Sequence, residues 1–172
     1  ESIYKSLDNN KVVLGDFLIF PNVVIYFVIL SFIQKDFGKC KEFIYLLENY
    51  NYSSELEVLD DKSKIFIYAY TKFIKELVNV LPQSKSDQKV IYHIGESHSL
   101  SYAFHSVSID NIKYTVVPQL CFGVKAFHLS EPDYSPYKEL VLNKFSMIPQ
   151  KSIVFLSFGE IDCRSGEGFL KA

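Results

Sequence analysis

Hydrophobic residues follow two different patterns along the chain, and the first pattern is helical. An apolar run opens at Pro21 and continues to Ile33, and a polar turn follows at 34–39. A second helical pattern runs from 40 to about 49, and a third helix is predicted over 61–80, where apolar residues recur every three or four positions. The apolar face of that third helix consists of Phe66, Ile67, Tyr70, Phe73, Ile74, Leu77 and Val80.

The second half of the chain contains three short apolar runs, and each is followed by a glycine at once or within three residues. The runs are 90–94, 114–120 and 153–158. Such runs are typical of buried strands that end in tight turns. Helices are predicted between them, and this alternation of strand and helix is the pattern of a parallel α/β sheet.

Local spacing predicts the connections between these strands. An amphipathic helix of two turns is predicted where apolar residues take i, i+3, i+4 and i+7 positions, at Leu100, Ala103, Phe104 and Val107. Asp110 and Asn111 predict a turn or a small hairpin before the second strand. A second helix should open with Ser135 as N-cap and Pro136 at its first position. Its apolar face is Tyr137, Leu140, Val141, Phe145 and Ile148.

A break in the pattern marks the domain boundary. Residues 81–88, with the sequence LPQSKSDQ, lose all hydrophobic periodicity and carry a helix-stopping proline. The predicted fold class is therefore α/β, with a helical segment at 1–82, a linker at 83–88 and a three-layer parallel-sheet domain at 89–172. All four histidines, the arginine and five of the seven glycines lie beyond residue 88, so the chemistry is predicted to lie in the second domain.

Composition excludes some classes of protein. A net charge of −2 with scattered lysines leaves no basic patch for nucleic acid. Three cysteines, Cys40, Cys121 and Cys163, are too few and too widely spaced for a disulfide framework or a zinc site, which favours a reducing, cytoplasmic location. The chain has no initiator methionine or signal peptide and stops soon after a motif, so we expect a fragment of a longer protein.

A membrane span is the alternative interpretation of the first helix. The stretch 17–33 carries no charge, and its length approaches that of a transmembrane helix. Pro21, Asn22 and Ser31 lie inside it, however, and burial between helices explains the same residues. We therefore expect no membrane span.

Three loops follow the three predicted strands. We call them loop 1 (95–98, GESH), loop 2 (121–125, CFGVK) and loop 3 (159–164, GEIDCR). In a parallel sheet the ligand site lies beyond the carboxyl ends of the strands. All three loops are therefore expected at one edge.

Loop 1, in the context IGESHS, resembles the first sequence block of the SGNH (GDSL-type) hydrolases, with Glu96 in place of their usual aspartate. The resemblance covers about 88–172 and implies an SGNH-like domain truncated at its C-terminus. It implies that Ser97 is the nucleophile, that Gly123 contributes to the oxyanion hole, and that residues 159–162, which include Asp162, form the third block.

The chain departs from this family in two respects. Ile161 stands where the third block has an asparagine, which removes one side-chain donor from the oxyanion hole. The late D-x-x-H block that supplies the family's general base does not occur in this sequence. This chain alone is therefore not expected to be a competent hydrolase.

The helical half resembles tetratricopeptide repeats. The turn at 35–37 and the small residue Cys40 stand where that family has its inter-helix turn and a small second-helix residue, while Val28 occupies a position that is usually small. An unrelated helical cap on the second domain is an equally open interpretation. The two resemblances together match uncharacterised bacterial proteins with an SGNH-like domain after such repeats.

Loop 3 holds the only arginine among 18 basic residues. A guanidinium offers a planar fork of donors that lysine cannot imitate. Arg164 is therefore expected either to stabilise an oxyanion or bind a carboxylate in the pocket, or to form an internal pair with Glu160 or Asp162 that holds the loop.

The remaining candidates are histidines and their neighbours. His98 adjoins Ser97 and is a weak candidate for its base, while His93 is predicted in the core and His105 on a helix surface. The predicted substrate contacts are Glu96, His98, His128 and Glu160. No histidine pair has metal-ligand spacing, so we expect no metal and no cofactor. The alternative to a catalytic role for Ser97 is a purely structural one, as a helix N-cap.

Two function classes follow from these residues. The first is a serine-dependent SGNH-like esterase or acyltransferase, with an acyl-enzyme at Ser97 and an acylated glycan or other ester as substrate. The second is a non-catalytic module that holds an acyl or sugar ligand in a degenerate pocket, while the helical segment docks a protein partner.

Overall fold

The computed structural model describes residues 14–49, 59–81, 88–130 and 133–164, with the side chains of 14–20 excepted. The chain divides into two compact units, Glu1–Val80 and Leu81–Ala172. The predicted linker at 83–88 lies outside the described residues except for Gln88, and it stays a prediction.

The first unit contains three described helices, α1 (Leu14–Ile33), α2 (Phe37–Asn49) and α3 (Asp61–Val80). The three predicted helices are confirmed, but α1 begins earlier than expected, so Pro21 lies inside it. Asp36 caps α2 by accepting a hydrogen bond from Lys39 N at 3.1 Å, which shortens the predicted turn. Asp60 caps α3 in the same way, accepting from Ser63 N at 3.0 Å.

The apolar faces of these helices form one core. It contains Val24, Ile25, Val28, Ile29, Phe32, Cys40, Ile44, Leu47, Ile67, Ile74 and Leu77. Val80, predicted on the buried face of α3, is exposed because it ends the helix. The Cys40 thiol lies 3.6 Å from the Val28 carbonyl oxygen, so a small residue on α2 permits close approach to α1. Within the described residues, no helix combines the length and the apolarity that crossing a membrane requires.

The second unit is a four-stranded, mostly parallel sheet. Its strands are β1 (Lys89–Gly95), β2 (Ser106–Ile109), β3 (Ile112–Leu120) and β4 (Ile153–Ser157), in the order β2-β3-β1-β4. β1 pairs in parallel with both β3 and β4, which confirms the three predicted strands and their direction.

A hairpin precedes β3. It is one of the two alternatives that the sequence predicted at this point, a turn or a small hairpin. β2 runs antiparallel to β3, and Asp110 and Asn111 form the turn with φ angles of 49° and 63°. Two successive residues with positive φ are typical of the tight turn whose twist matches a hairpin.

The helix predicted from Leu100 to Val107 is wrong. The chain forms a short 3-10 helix (Ser97–Tyr102), and Phe104 then takes a φ of 62° and ends it. The backbone N–H of Phe104 donates to Val116 O at 2.7 Å, and Val116 N donates to His105 O at 3.0 Å. Pairing with β3 therefore replaces helical hydrogen bonds, and His105 lies in this turn rather than on a helix.

Two helices lie between β3 and β4. α4 (Ala126–Ser130) was not predicted, whereas α5 (Pro136–Ser146) confirms the helix expected after Ser135. Val141 of α5 packs with Ile94 of β1 in the core of this unit. Other residues of that core and its margin are Cys121, Val124, Leu129, Leu140, Ile148, Val154 and Phe158. Tyr137 and Phe145, predicted on the same face, are exposed.

Candidate functional site

The carboxyl ends of the three parallel strands bring the loops into contact. Cys121 N donates to Gly95 O at 2.8 Å, and Glu96 N donates to Ser157 O at 3.3 Å. A Cβ atom on Gly95 would lie 2.6 Å from the Ser157 carbonyl oxygen, so β1 and β4 approach too closely there for any other residue. Close packing of β1 against β4 therefore requires glycine at position 95, in addition to any turn that follows the strand.

Ser97 is the first residue of the 3-10 helix and is partly exposed. The hydrogen bonds of the described residues include none from its hydroxyl, and no side-chain bond caps this helix. The alternative in which Ser97 is a plain N-cap is therefore wrong. Its role as nucleophile stays a prediction.

Glu96, immediately before Ser97, is buried, with only 2% of its surface exposed. One carboxylate oxygen, Oε1, accepts a hydrogen bond from Glu160 N at 3.0 Å and so joins loop 1 to loop 3. The other oxygen, Oε2, is also buried and has no hydrogen-bond partner among the described residues. The sequence indicated Glu96 only as a substrate contact, because nothing local shows that a glutamate after a strand is buried.

Arg164 forms the internal pair that was one of its predicted alternatives. Its Nε donates to Glu160 Oε1 at 2.9 Å and its Nη2 donates to Oε2 at 2.7 Å. The hydrogen bond from Arg164 is the main cause that lowers the pKa of Glu160, and the charges of Arg164 and His98 act in the same direction. Both side chains of the pair are almost half exposed, at 45% and 44%.

His98 Nδ1 lies 3.9 Å from Glu160 Oε2. The His98 side chain is 55% exposed, so it lies at the surface of the loop cluster rather than beneath it. Loop 3 thus presents one carboxylate to both a guanidinium and an imidazole.

Asp162 faces a different partner from the one its sequence position suggested. It is buried, and its two oxygens accept hydrogen bonds from Ala126 N at 2.7 Å and Phe127 N at 3.1 Å. The carboxylate therefore caps the first turn of α4 and joins loop 3 to the segment after loop 2. Its predicted catalytic role stays a prediction beside this structural one.

Loop 2 lies beside a stacked pair of rings, Tyr137 and His128. Gly123 has a φ of 69°, which favours glycine, and a Cβ atom there would lie 3.8 Å from the Tyr137 ring. The Tyr137 ring stacks on His128 with centroids 4.1 Å apart and planes at 5°. His128 Nδ1 accepts a hydrogen bond from Lys125 N at 3.0 Å, so the imidazole is oriented on two sides. The role of His128 as a pocket residue stays a prediction.

His93 is a core residue, as predicted, but only one of its two ring nitrogens has a hydrogen-bond partner among the described residues. Its Nε2 lies 2.7 Å from Ser157 Oγ, while Nδ1 is buried without a partner among the described residues. Burial lowers its pKa. The ring borders an apolar groove of about 310 Å³ on one face of the sheet. Lining residues of that groove include Ile91, Tyr102, Val107, Val116 and Phe155.

Comparison of the chain with known protein families, with curated proteins and with solved structures gives no match. The fold and the loops by themselves define a mixed α/β unit whose carboxyl edge gathers one serine, several carboxylates, an imidazole and a guanidinium.

Proposed function

We propose that the α/β unit belongs to a serine-dependent, SGNH-like ester hydrolase or acyltransferase that forms an acyl-enzyme at Ser97 and acts on acylated glycans. The observation that carries the proposal is the setting of Ser97. It follows the carboxyl end of the central strand β1, its hydroxyl is unengaged within the described residues, and hydrogen bonds hold the glutamate before it. Nucleophilic serines of other α/β enzymes lie at such strand ends.

In the proposed reaction, Ser97 Oγ attacks the ester carbonyl carbon and its proton passes to a general base. The carbonyl oxygen becomes an oxyanion, and its collapse expels the alcohol, which takes a proton. Water completes hydrolysis, or a sugar hydroxyl completes acyl transfer. The backbone N–H of Gly123 is the proposed oxyanion donor. Without a side-chain donor at Ile161, the transition state loses on the order of 3 kcal/mol of stabilisation relative to a complete oxyanion hole.

A binding module is the second candidate function, and loop 3 is the observation that favours it. Ile161 offers no donor, and two nitrogens of Arg164 are already committed to Glu160. In this alternative the pocket holds an acyl or sugar ligand without turnover. In both candidates the helical unit, as a tetratricopeptide-like segment, docks a protein partner in the cytoplasm.

Covalent labelling tests the proposal. A fluorophosphonate probe should label the intact protein at Ser97, and Ser97→Ala should abolish the labelling. Ser101→Ala is the matched control, because Ser101 is an exposed serine in the same 3-10 helix and should leave labelling unchanged. Labelling that survives in Ser97→Ala excludes this nucleophile. An unlabelled parent that still binds acylated sugars favours the binding module.

A further inference from the structure

Three potential metal ligands converge where loops 1 and 3 meet. A carboxylate oxygen of Glu96, a ring nitrogen of His98 and a carboxylate oxygen of Glu160 all lie within 4.8 Å of one another. Two of them flank Ser97, and the third comes from a loop 64 residues away from Glu96. Histidine spacing cannot reveal this set, because two of the ligands are carboxylates.

Glu96 supplies an independent reason to expect a ligand here. Its side chain is almost wholly buried, and one carboxylate oxygen is without a hydrogen-bond partner among the described residues. Taking an ionised carboxylate out of water is unfavourable unless a positive charge or enough donors surround it. The chain has one guanidinium, that of Arg164, and it donates hydrogen bonds to the carboxylate of Glu160. A cation at the cluster would compensate the buried charge.

We propose that Glu96, His98 and Glu160 bind a divalent transition metal, with Zn²⁺ as the best fit. Zinc accepts mixed nitrogen and oxygen ligands, and three protein ligands leave its fourth position open. Two carboxylates match its charge. Mg²⁺ and Ca²⁺ prefer sets of oxygen ligands, so the imidazole nitrogen of His98 favours a transition metal over either of them. Because His98 and Glu160 are each about half exposed, their side chains have room to close on the ion.

Arg164 competes with the metal for Glu160. The guanidinium and the metal would draw on the same two carboxylate oxygens. Since both partners of the ion pair are almost half exposed, solvent screens their attraction and the pair is a weak competitor. Removing it should therefore tighten metal binding, which a merely structural role of Glu160 would not produce.

Calorimetric titration with ZnCl₂ tests the site. The intact protein, stripped with a chelator, should carry Cys163→Ser, because Cys163 is an exposed thiol within loop 3 and thiolates bind zinc. We expect one Zn²⁺ per chain. His98→Ala and Glu96→Gln should each weaken binding by about tenfold or more, by analogy with the losses seen when metal sites are perturbed. Arg164→Gln should strengthen it, and MgCl₂ should produce no comparable heat.

Control variants show whether any zinc binding comes from the proposed cluster. His105→Ala, at a partly exposed histidine outside the cluster, should leave zinc binding unchanged. If Glu96→Gln does not fold, His98→Ala decides, because His98 is at the surface. No stoichiometric binding by the parent, or binding that His98→Ala leaves intact, would overturn the proposal. The site does not depend on chemistry at Ser97, so zinc binding and probe labelling can fail separately.

Discussion

The two units bury different kinds of residue. Among the described residues, the buried polar side chains of the helical unit are Ser31 and Thr71, and both are neutral. Those of the α/β unit are His93, Glu96, Ser99, Thr115, Ser135 and Asp162. A buried polar group costs free energy unless it is hydrogen-bonded, and a buried charge costs more. Apolar packing is therefore enough to explain the first unit, whereas the second retains costly groups, and its two buried carboxylates lie at the edge where the loops meet.

Substitution of a glycine in each unit should give the largest difference in stability between the two units. Gly95→Ala forces a Cβ atom against the Ser157 backbone, 2.6 Å from its carbonyl oxygen, so β1 and β4 must separate. We expect the α/β unit to lose about 3 kcal/mol or more of unfolding free energy. Chemical denaturation with peptide-resolved hydrogen exchange assigns the loss to this unit.

Gly38→Ala is the matched change in the helical unit. There the new Cβ atom meets only Asp36 Oδ1, at an ordinary 3.7 Å, near the start of α2. Because alanine is the better helix former, the helical unit should gain up to about 1 kcal/mol. Equal effects of the two glycine substitutions would contradict the contrast between the units.

A second pair of substitutions removes one helix cap from each unit and compares the losses of stability. Asp162→Ala leaves the N–H groups of Ala126 and Phe127 without their long-range acceptor, and we expect a loss of about 2 kcal/mol in the α/β unit. Asp60→Ala removes a cap that is exposed and local to α3, so water replaces it and the loss should be smaller. Equal losses in urea denaturation would show that burial of Asp162 adds nothing.

The third test uses pH. Because burial lowers the pKa of His93, the unfolded chain binds a proton near pH 6.5 while the folded unit does not until a lower pH. The α/β unit should therefore lose stability as the pH falls below about 6.5, by at most about 1.4 kcal/mol per pH unit. His93→Gln should remove this slope while keeping a partner for Ser157, and His98→Gln should retain it. A slope that persists in His93→Gln points to another group.

The smallest expected effect concerns the arginine fork. Arg164→Lys keeps the charge but loses the two-nitrogen contact with Glu160. Since both partners are almost half exposed to solvent, we expect less than about 1 kcal/mol of lost stability. The pKa of Glu160 should rise towards its ordinary value, as NMR titration of its carboxyl carbon would record. The pair's contribution is present above the ordinary glutamate pKa and is lost as the pH falls through the lowered one.

An unchanged Glu160 titration in Arg164→Lys would show that the fork has no special role in loop 3. Salt provides the control, since added NaCl should screen an exposed pair and shift the parent towards the variant. His98→Gln should also raise the pKa of Glu160, but less, because the imidazole lies farther from the carboxylate than the guanidinium does.

Sequence patterns predicted most of the architecture. A continuous apolar run located α1, helical patterns of apolar residues located α2, α3 and α5, and short apolar runs before glycines located β1, β3 and β4. These signals work because each element buries one face, and that face leaves its period in the sequence. The same reasoning failed at 100–107, where pairing with β3 overrides the helical period.

The order of strands and loops along the chain was enough to predict which residues reach the candidate site, because parallel strands share a carboxyl edge and the three loops follow them directly. The contacts that each side chain makes there could be learned only from the folded arrangement. Arg164 pairs with Glu160, while Asp162 caps α4 and Glu96 is buried against loop 3. The physical reason is distance along the chain: local pattern records which face an element buries, but a contact between Glu96 and Glu160 spans 64 residues and depends on how the strands pair.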